Sequence, residues 1–419
     1  RLGKMVEPAE WTDGLSQCQL SGIGRRINTR YSSHMGQSTA DHELMHEAHN
    51  IDENGLRVYL LLCGYNGDNE APKFIYNQLA DQVFNELDVS PDMEPQEILD
   101  LLVEKFQTVV RVYNNQMSEL LSTRLLLEEQ LLPQNDADAA GRISEIDAKL
   151  RTGTTVLLAL IVDNHIYVLN CGNSRCLLVC EENETYKCHR LLNVHSNEDE
   201  NERRRLEESG IDPNIVIRPT RAIGDCFRNE FGYRKNAALE KATSPPITSD
   251  PDAECFEIKD QYKYLMLVSD AVATVLEEMG TPPEGVDSRL MDIMMSEQTQ
   301  SSTLSIQLLA SAVLDRIARD HEKQFMTGER AGKYRSRDDM SLIIVALSED
   351  EPSAPPVNYS VTSQDSVIPE VRTDTPIDGY VDLDNFDRNP QSERILRHIC
   401  QILGFNLLSD VSQNNSSGS

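Results

Sequence analysis

Residues 153–180 read "GTTVLLALIVDNHIYVLNCGNSRCLLVC". Three apolar runs of strand length are separated by two turn-forming groups, Asp163-Asn164-His165 and Gly172-Asn173-Ser174. Asp-Asn and Gly-Asn pairs are hairpin chemistry, because these residues tolerate the backbone angles of tight turns. The stretch therefore predicts three consecutive strands joined by two hairpins.

On either side the period changes. Upstream, Ile98, Leu101, Leu102, Phe106, Val109, Val110, Tyr113, Met117, Leu120 and Leu121 recur at spacings of three and four, which predicts a long helix over 97–132. A second, more polar helix is expected over 136–150. Further back, "GLRVYLLLCG" (55–64) reads as a strand and 71–87 as a helix, with Asp68 or Asn69 as its cap and Pro72 tolerated in the first turn. Downstream, 197–210 reads as a charged helix ending at Gly210, 263–280 as a buried strand entering a helix, 301–326 as an amphipathic helix and 338–348 as a last strand. Strand runs interleaved with helix pairs predict an α+β body with more than one sheet.

The ends differ from this body. Residues 1–19 read as a lead-in, and the missing initial Met is consistent with a fragment. After Ser348 the chain turns rich in Pro, Ser, Thr and Asp, so 349–378 reads as a flexible linker. Apolar residues return at Ile395, Leu396, Ile399, Ile402 and Leu403, which share one helix face, and 409–419 is a polar, disordered end.

Charge restricts the partners. Sixty-nine Asp and Glu against 39 Lys and Arg give a net charge of −30. Such a field repels phosphate backbones and anionic lipids and favours a basic protein surface or a cation. No nucleic acid and no membrane insertion are expected, since no apolar run reaches membrane-spanning length and no secretory leader is evident. Nine scattered Cys without a C-x-x-C read as reduced thiols, which points to a cytoplasmic protein.

Five strings in order carry a family likeness. The 153–180 stretch resembles the "SGTTAVVALI…LYVANAGDSRAVL" pattern of the metal-dependent protein phosphatases, the PPM family. "PTRAIGD" (219–225) is similar to that family's "SRAFGD", "LVSDAVATVL" (267–276) to its "LASDGLWDVL", and "SRDDMSLIIVAL" (336–347) to its "SxDNMTVIVV". "GIGRRINTRY" (22–31) falls on "GxxRxxNED", matching at Gly22, Arg25 and Asn28. The resemblance spans about 20–348. It implies a four-layer α/β sandwich: two mainly antiparallel sheets flanked by helices, followed by a disordered tail.

The same resemblance exposes damage. The family's "DGHGG", whose Asp bridges two divalent ions, falls on "GYNGD" (64–68), so Gly64 stands in the bridging position and Tyr65 where a Gly carbonyl would touch metal. The Glu-Asp pair falls on Thr29 and Arg30, and the Asp of "GDSR" on Asn173; only Asp270 and Asp338 stay acidic. Mg²⁺ and Mn²⁺ need hard oxygen ligands. A unit charge 4 Å away is worth roughly 4 kcal/mol at an effective dielectric of 20. Replacing −1 by +1 beside a divalent ion therefore reverses the sign of the interaction. No catalytic residue, Mg/Mn site or other cofactor is expected. Arg30 or Arg25 is expected to pair with Asp270 and Asp338; the alternative is that the two Asp cap adjoining turns. Arg25 reads either as an anion-binding Arg or as a solvated one, and His195, on the family's "DH" pair, as a structural histidine.

Two further motifs pull in different directions. "HELMH" (42–46) matches the H-E-x-x-H zinc pattern. It has no apolar helix face behind it, so the stretch is expected to be a loop without catalysis. "GYVDLDNFDR" (379–388) resembles the "PYVDFxxF" segment of a pseudophosphatase branch of the family, with Tyr380, Val381, Leu383 and Phe386 carrying the match. That likeness implies a catalytically inactive signalling adaptor whose segment 379–408 binds and activates a protein kinase of the TGF-β-activated kinase type, a MAP kinase kinase kinase. Other signalling partners of the body stay open. A residual metal-dependent phosphatase and a phosphopeptide-binding module using Arg25 are the alternatives.

Overall fold

The computed structural model describes residues 20–347 except 31–36, 39–44, 52–55, 67–69, 85, 88, 91, 135–136, 184, 216, 218, 230–238, 240, 301–304 and 328–335. The chain divides into two units, Arg1–Val357 and Asn358–Ser419. The lead-in, linker, kinase-binding segment and terminal end lie outside the described residues, as do Asp68 and Asn69.

In chain order the first unit holds β1 (Ser21–Arg26), β2 (Thr29–Arg30), β3 (Gln37–Ser38), β4 (Met45–Ile51), β5 (Arg57–Tyr65), α1 (Glu70–Phe84), α2 (Pro95–Gln134) and α3 (Ala137–Arg151). Then follow β6 (Gly153–Val162), β7 (His165–Cys171), β8 (Arg175–Glu182), β9 (Thr185–Arg190) and α4 (Glu200–Glu208). The last elements are β10 (Ile223–Gly224), β11 (Asp252–Glu257), β12 (Tyr262–Val268), α5 (Asp270–Glu278), α6 (Val286–Gln300), α7 (Ile306–Thr327), β13 (Ser336–Arg337) and β14 (Met340–Ala346).

Two antiparallel sheets result, one in the order β1-β14-β12-β8-β9 and one in the order β11-β7-β6-β5-β4 with β10 beside β6; β13-β2-β3 form a small third sheet. The sheets stack because their central strands are apolar on both faces. In β5, Tyr59 and Leu61 meet Leu265, Leu267, Ile343 and Val345 of the other sheet, while Val58, Leu60 and Leu62 pack under α1 and α2 with Phe106 and Val109. The outer face of the five-stranded sheet is closed by α5, α6 and α7 through Leu276, Leu290, Val313 and Leu314. Each such buried side chain contributes about 1.5–3 kcal/mol. The order helices, sheet, sheet, helices is the four-layer α+β sandwich that the resemblance implied.

Packing is closest where β1 meets α7. A Cβ on Gly24 would stand 2.5 Å from the Ala310 carbonyl oxygen, and one on Gly22 2.0 Å from that of Ile306. Both glycines let the helix backbone rest directly on the strand.

Two expectations need correction. The turn at Gly172-Asn173 is not a hairpin: β7 pairs with β6 and β11, whereas β8 pairs with β12 and β9 in the other sheet. The chain crosses between sheets here. Gly172 has φ +153°, and a Cβ on it would lie 2.2 Å from that of Thr155. A crossover and a hairpin both call for a residue without a side chain, so local composition does not separate them. The stretch expected as a loop also contains β4, an edge strand running from Met45 opposite Cys63 to Ile51 opposite Arg57. An edge strand has a single neighbour, and its sequence carries little of the apolar signal of a central one.

Candidate functional site: the strand ends of the two sheets

The registers bring several strand ends together. In the five-stranded sheet Arg26 stands opposite Met340, and Val268 stands opposite both Leu342 and Arg175. The end of β1, the start of β14, the end of β12 and the start of β8 thus share one edge. In the six-stranded sheet Gly64 stands opposite Thr154, Tyr65 and Gly224 opposite Gly153, and Cys171 opposite Val156. Cys63 Sγ lies 3.6 Å from Ser174 Oγ, which links the end of β5 to the crossover. Gly64, Tyr65, Asn173, Asp270 and Asp338 are therefore carried to the same end of the sandwich. The backbone of Thr29–Arg30 joins them through β2, opposite Ser336 and Arg337; the side chains of Thr29 and Arg30 lie outside the described residues.

The chemistry at these positions is not that of a two-ion site. Gly64 offers no side chain. Tyr65 turns its ring inward onto Gly153, where an added Cβ would lie 2.6 Å from the phenol oxygen. Asn173 is a buried neutral amide. Asp270 is the first residue of α5, after the cap Ser269, where a carboxylate meets the positive end of the helix dipole. Asp338 is exposed on the turn into β14, and Arg25 is exposed on β1. Among the described residues no three His, Cys, Asp or Glu side chains come close enough to hold a metal ion. This donor set does not fit a pair of divalent ions.

The residues that do the ordering at this edge were not evident from the sequence. Arg337 is only 6% exposed, and its guanidinium donates to the carbonyls of Ile27 (2.7 Å) and Asp338 (3.1 Å). A buried cation thus sits next to the retained Asp338, held by backbone oxygens. Asp339, on the family's Asn, accepts from the Asn28 backbone N–H at 2.6 Å and ties β1 to β14. Burial pushes its carboxyl above the usual range against the pull of the Asn28 hydrogen bonds.

Below the opposite sheet lies a second polar group. Asp225, of "PTRAIGD", is buried at φ +51°, with Arg228 Nε 3.2 Å from Oδ2 but out of line for a hydrogen bond. Burial raises its carboxyl, and burial with the Asp225 charge raises the neighbouring Tyr65 phenol.

His195 belongs to a network that extends into the family's arginine string. The Gly172 N–H donates to Nδ1 at 3.0 Å, so the ring proton is on Nε2, which donates to Asp252 Oδ2 at 3.0 Å. Asp252 Oδ1 accepts from Arg221 Nη1 at 2.9 Å, and Arg221 Nη2 reaches Glu202 Oε1 at 2.6 Å. Glu202 is 1% exposed, and its other oxygen accepts from Thr220 Oγ1 (2.6 Å) and Arg205 Nη2 (3.1 Å). The His195 hydrogen bond holds the Asp252 carboxyl below its ordinary value. Burial works upward on Glu202, but the Arg221 and Thr220 hydrogen bonds and the charges of Arg205 and Arg221 outweigh it. His195 is a structural residue that locks the sheet crossover.

Of the H-E-x-x-H string the structure describes Met45 and His46, both in strand. His46 lies in β4 opposite Leu62, and His42 lies outside the described residues. A strand cannot place it one helical turn from a partner.

Two stacked antiparallel sheets with paired outer helices, and a strand-end edge where the family's acids would converge, define a phosphatase 2C-type protein. The family model Protein phosphatase 2C matches residues 103–280. The chain is 31% identical over 337 residues, 80% of its own length and 83% of the other's, to the Caenorhabditis elegans protein "TGF-beta-activated kinase 1 and MAP3K7-binding protein 1". It is 24% identical to protein phosphatase 1G of Bos taurus over 214 residues, 49% of this chain and 34% of that one. Among solved structures, serine-threonine phosphatase 2C of Toxoplasma gondii aligns with 78% of this chain and 94% of its own at 15% identity and a TM-score of 0.47. The chain belongs to the protein phosphatase 2C family, in one line with the nematode kinase-binding protein.

Proposed function

We propose that this protein is a phosphatase-like adaptor that binds a protein kinase of the TGF-β-activated kinase type and promotes its activation without hydrolysing phosphate itself. The observation that carries the reading is the 31% identity across 83% of a relative whose name states kinase binding. The strand-end chemistry supports the second half: a Gly at the bridging position and an Asn at another acidic one leave the metal cradle without its central ligands. No Mg²⁺ or Mn²⁺ is bound in this reading. Tyr380, Val381, Leu383 and Phe386 act as the docking anchors, an apolar set that folds into a groove of the kinase. Such a segment activates only by binding the active arrangement more tightly than the inactive one. The adaptor works in the cytoplasm; among the described residues no helix is long and apolar enough to cross a membrane.

The test has two arms. Co-precipitation of the kinase with the full chain is expected to be lost in Phe386→Ala; equal recovery by both chains would sink the docking claim. Aryl phosphate hydrolysis with millimolar Mn²⁺ is expected at background. Turnover that disappears in Asp270→Ala would establish a residual phosphatase instead.

A further inference from the structure

A cleft of about 480 Å³ opens between α1, α2 and α3, bordered by Thr152 where β6 begins. Its floor is apolar. The Phe74 and Tyr113 rings lie 5.9 Å apart at a 45° tilt, and Met117 and Leu120 continue the same face of α2. Its rim is acidic. Glu70 and Glu119 stand on opposite walls; Lys149 pairs with Glu70 at 3.2 Å, whereas Glu119 has no ion-pair partner among the described residues. The cleft lies within the size range of pockets that hold small ligands or peptide side chains.

We infer that this cleft docks a partner protein through a short segment bearing one bulky apolar side chain and an Arg or Lys within a helical turn of it. The apolar group fills the space over Tyr113 and Met117, and the cation meets Glu119. Charge selects this occupant over a second copy of the chain. At a net charge of −30, two copies repel each other, while a basic segment is attracted both by the whole field and by the unpaired rim carboxylate. The cleft is lined by residues of the first unit, so the body of the molecule offers a recruiting surface of its own.

The experiment uses the full chain and four fluorescein-labelled decapeptides, Trp or Ala at one position crossed with Arg or Glu four residues on, read by polarisation at low salt. Binding is expected for the Trp/Arg peptide above the other three. Gln116→Trp, a change at an exposed position on the rim, is expected to fill the cleft and abolish that binding. Glu119→Lys, also exposed, is expected to weaken the Trp/Arg peptide about two- to fivefold, the size of an exposed ion pair, and to favour the Trp/Glu peptide. Both variants are to show the melting temperature of the parent chain. No binding by any peptide, equal binding of the Arg and Glu forms, or binding unaffected by Gln116→Trp would overturn the inference. So would self-association in sedimentation that Gln116→Trp removes, because the occupant would then be a second copy.

Discussion

Two polar regions of this molecule have opposite characters. Around His195, Asp252, Arg221 and Glu202, every charge lies within hydrogen-bonding reach of an opposite one, and Glu202 is 1% exposed. At the strand ends, the positions on which the family's metal ligands fall carry a Gly, an inward Tyr, a buried amide and the two carboxylates Asp270 and Asp338. The contrast follows from what each region costs to break. Removing one member of a buried ion network strands its partner in low dielectric, at about 3–5 kcal/mol. Removing a metal ligand at a strand end removes function and leaves the backbone ladder intact. A fold can therefore lose its chemistry position by position while its internal charges remain coupled.

The largest effect is expected at the network. Glu202→Gln leaves Arg221 and Arg205 short of a counter-charge and is expected to destabilise by about 3–5 kcal/mol in urea unfolding. A loss below 1 kcal/mol would erase the contrast. Next comes the β1–α7 contact: Gly24→Val drives carbon into the Ala310 backbone and is expected to cost about 1–3 kcal/mol, measured as a fall in melting temperature. A wild-type melting curve would show that the helix can lift away freely.

The pH dependence has a defined sign. Asp252 and Glu202 are held below their ordinary values of 3.8 and 4.5. Their stabilisation is complete above those values and is lost as pH falls through the lower folded-state values. Asp225 and Asp339, raised by burial, act in the opposite direction and lose stability as pH rises through their folded values. Acid unfolding followed by circular dichroism is expected to be less steep in Asp252→Asn, and an identical acid limb in both proteins would contradict the coupling. The smallest effect is expected at the cradle. Gly64→Asp restores one carboxylate but leaves Asn173 and Arg30, so Mn²⁺-dependent hydrolysis of an aryl phosphate is expected to stay at background. Clear turnover in this single variant would mean that the cradle lacks one ligand only.

Much of the frame was legible along the chain. The central strands β5, β6, β7, β8, β12 and β14 announced themselves because burial on both faces makes them apolar throughout, and α2 because its apolar residues keep the helical period over many turns. β1, β4, β9 and β11 did not: edge strands and strands with one partly exposed face share their composition with loops. Gly64 and Asn173 stand out in the sequence because the flanking strings match the family's in order while neither position is acidic. Arg337 and Asp339 were not singled out. Their roles depend on the carbonyls and N–H of Arg26–Asn28, some 310 residues away in the chain.

By itself the amino-acid sequence determined which segments become buried strands and long helices, and the acidic field, since these are properties of residues and their local period. The tertiary structure alone decided that β7 and β8 belong to different sheets, that His195 and Arg221 close one network with Glu202, and that α1, α2 and α3 frame a cleft. Each of these depends on which distant strand or helix becomes a neighbour, and that choice is made by packing the whole chain.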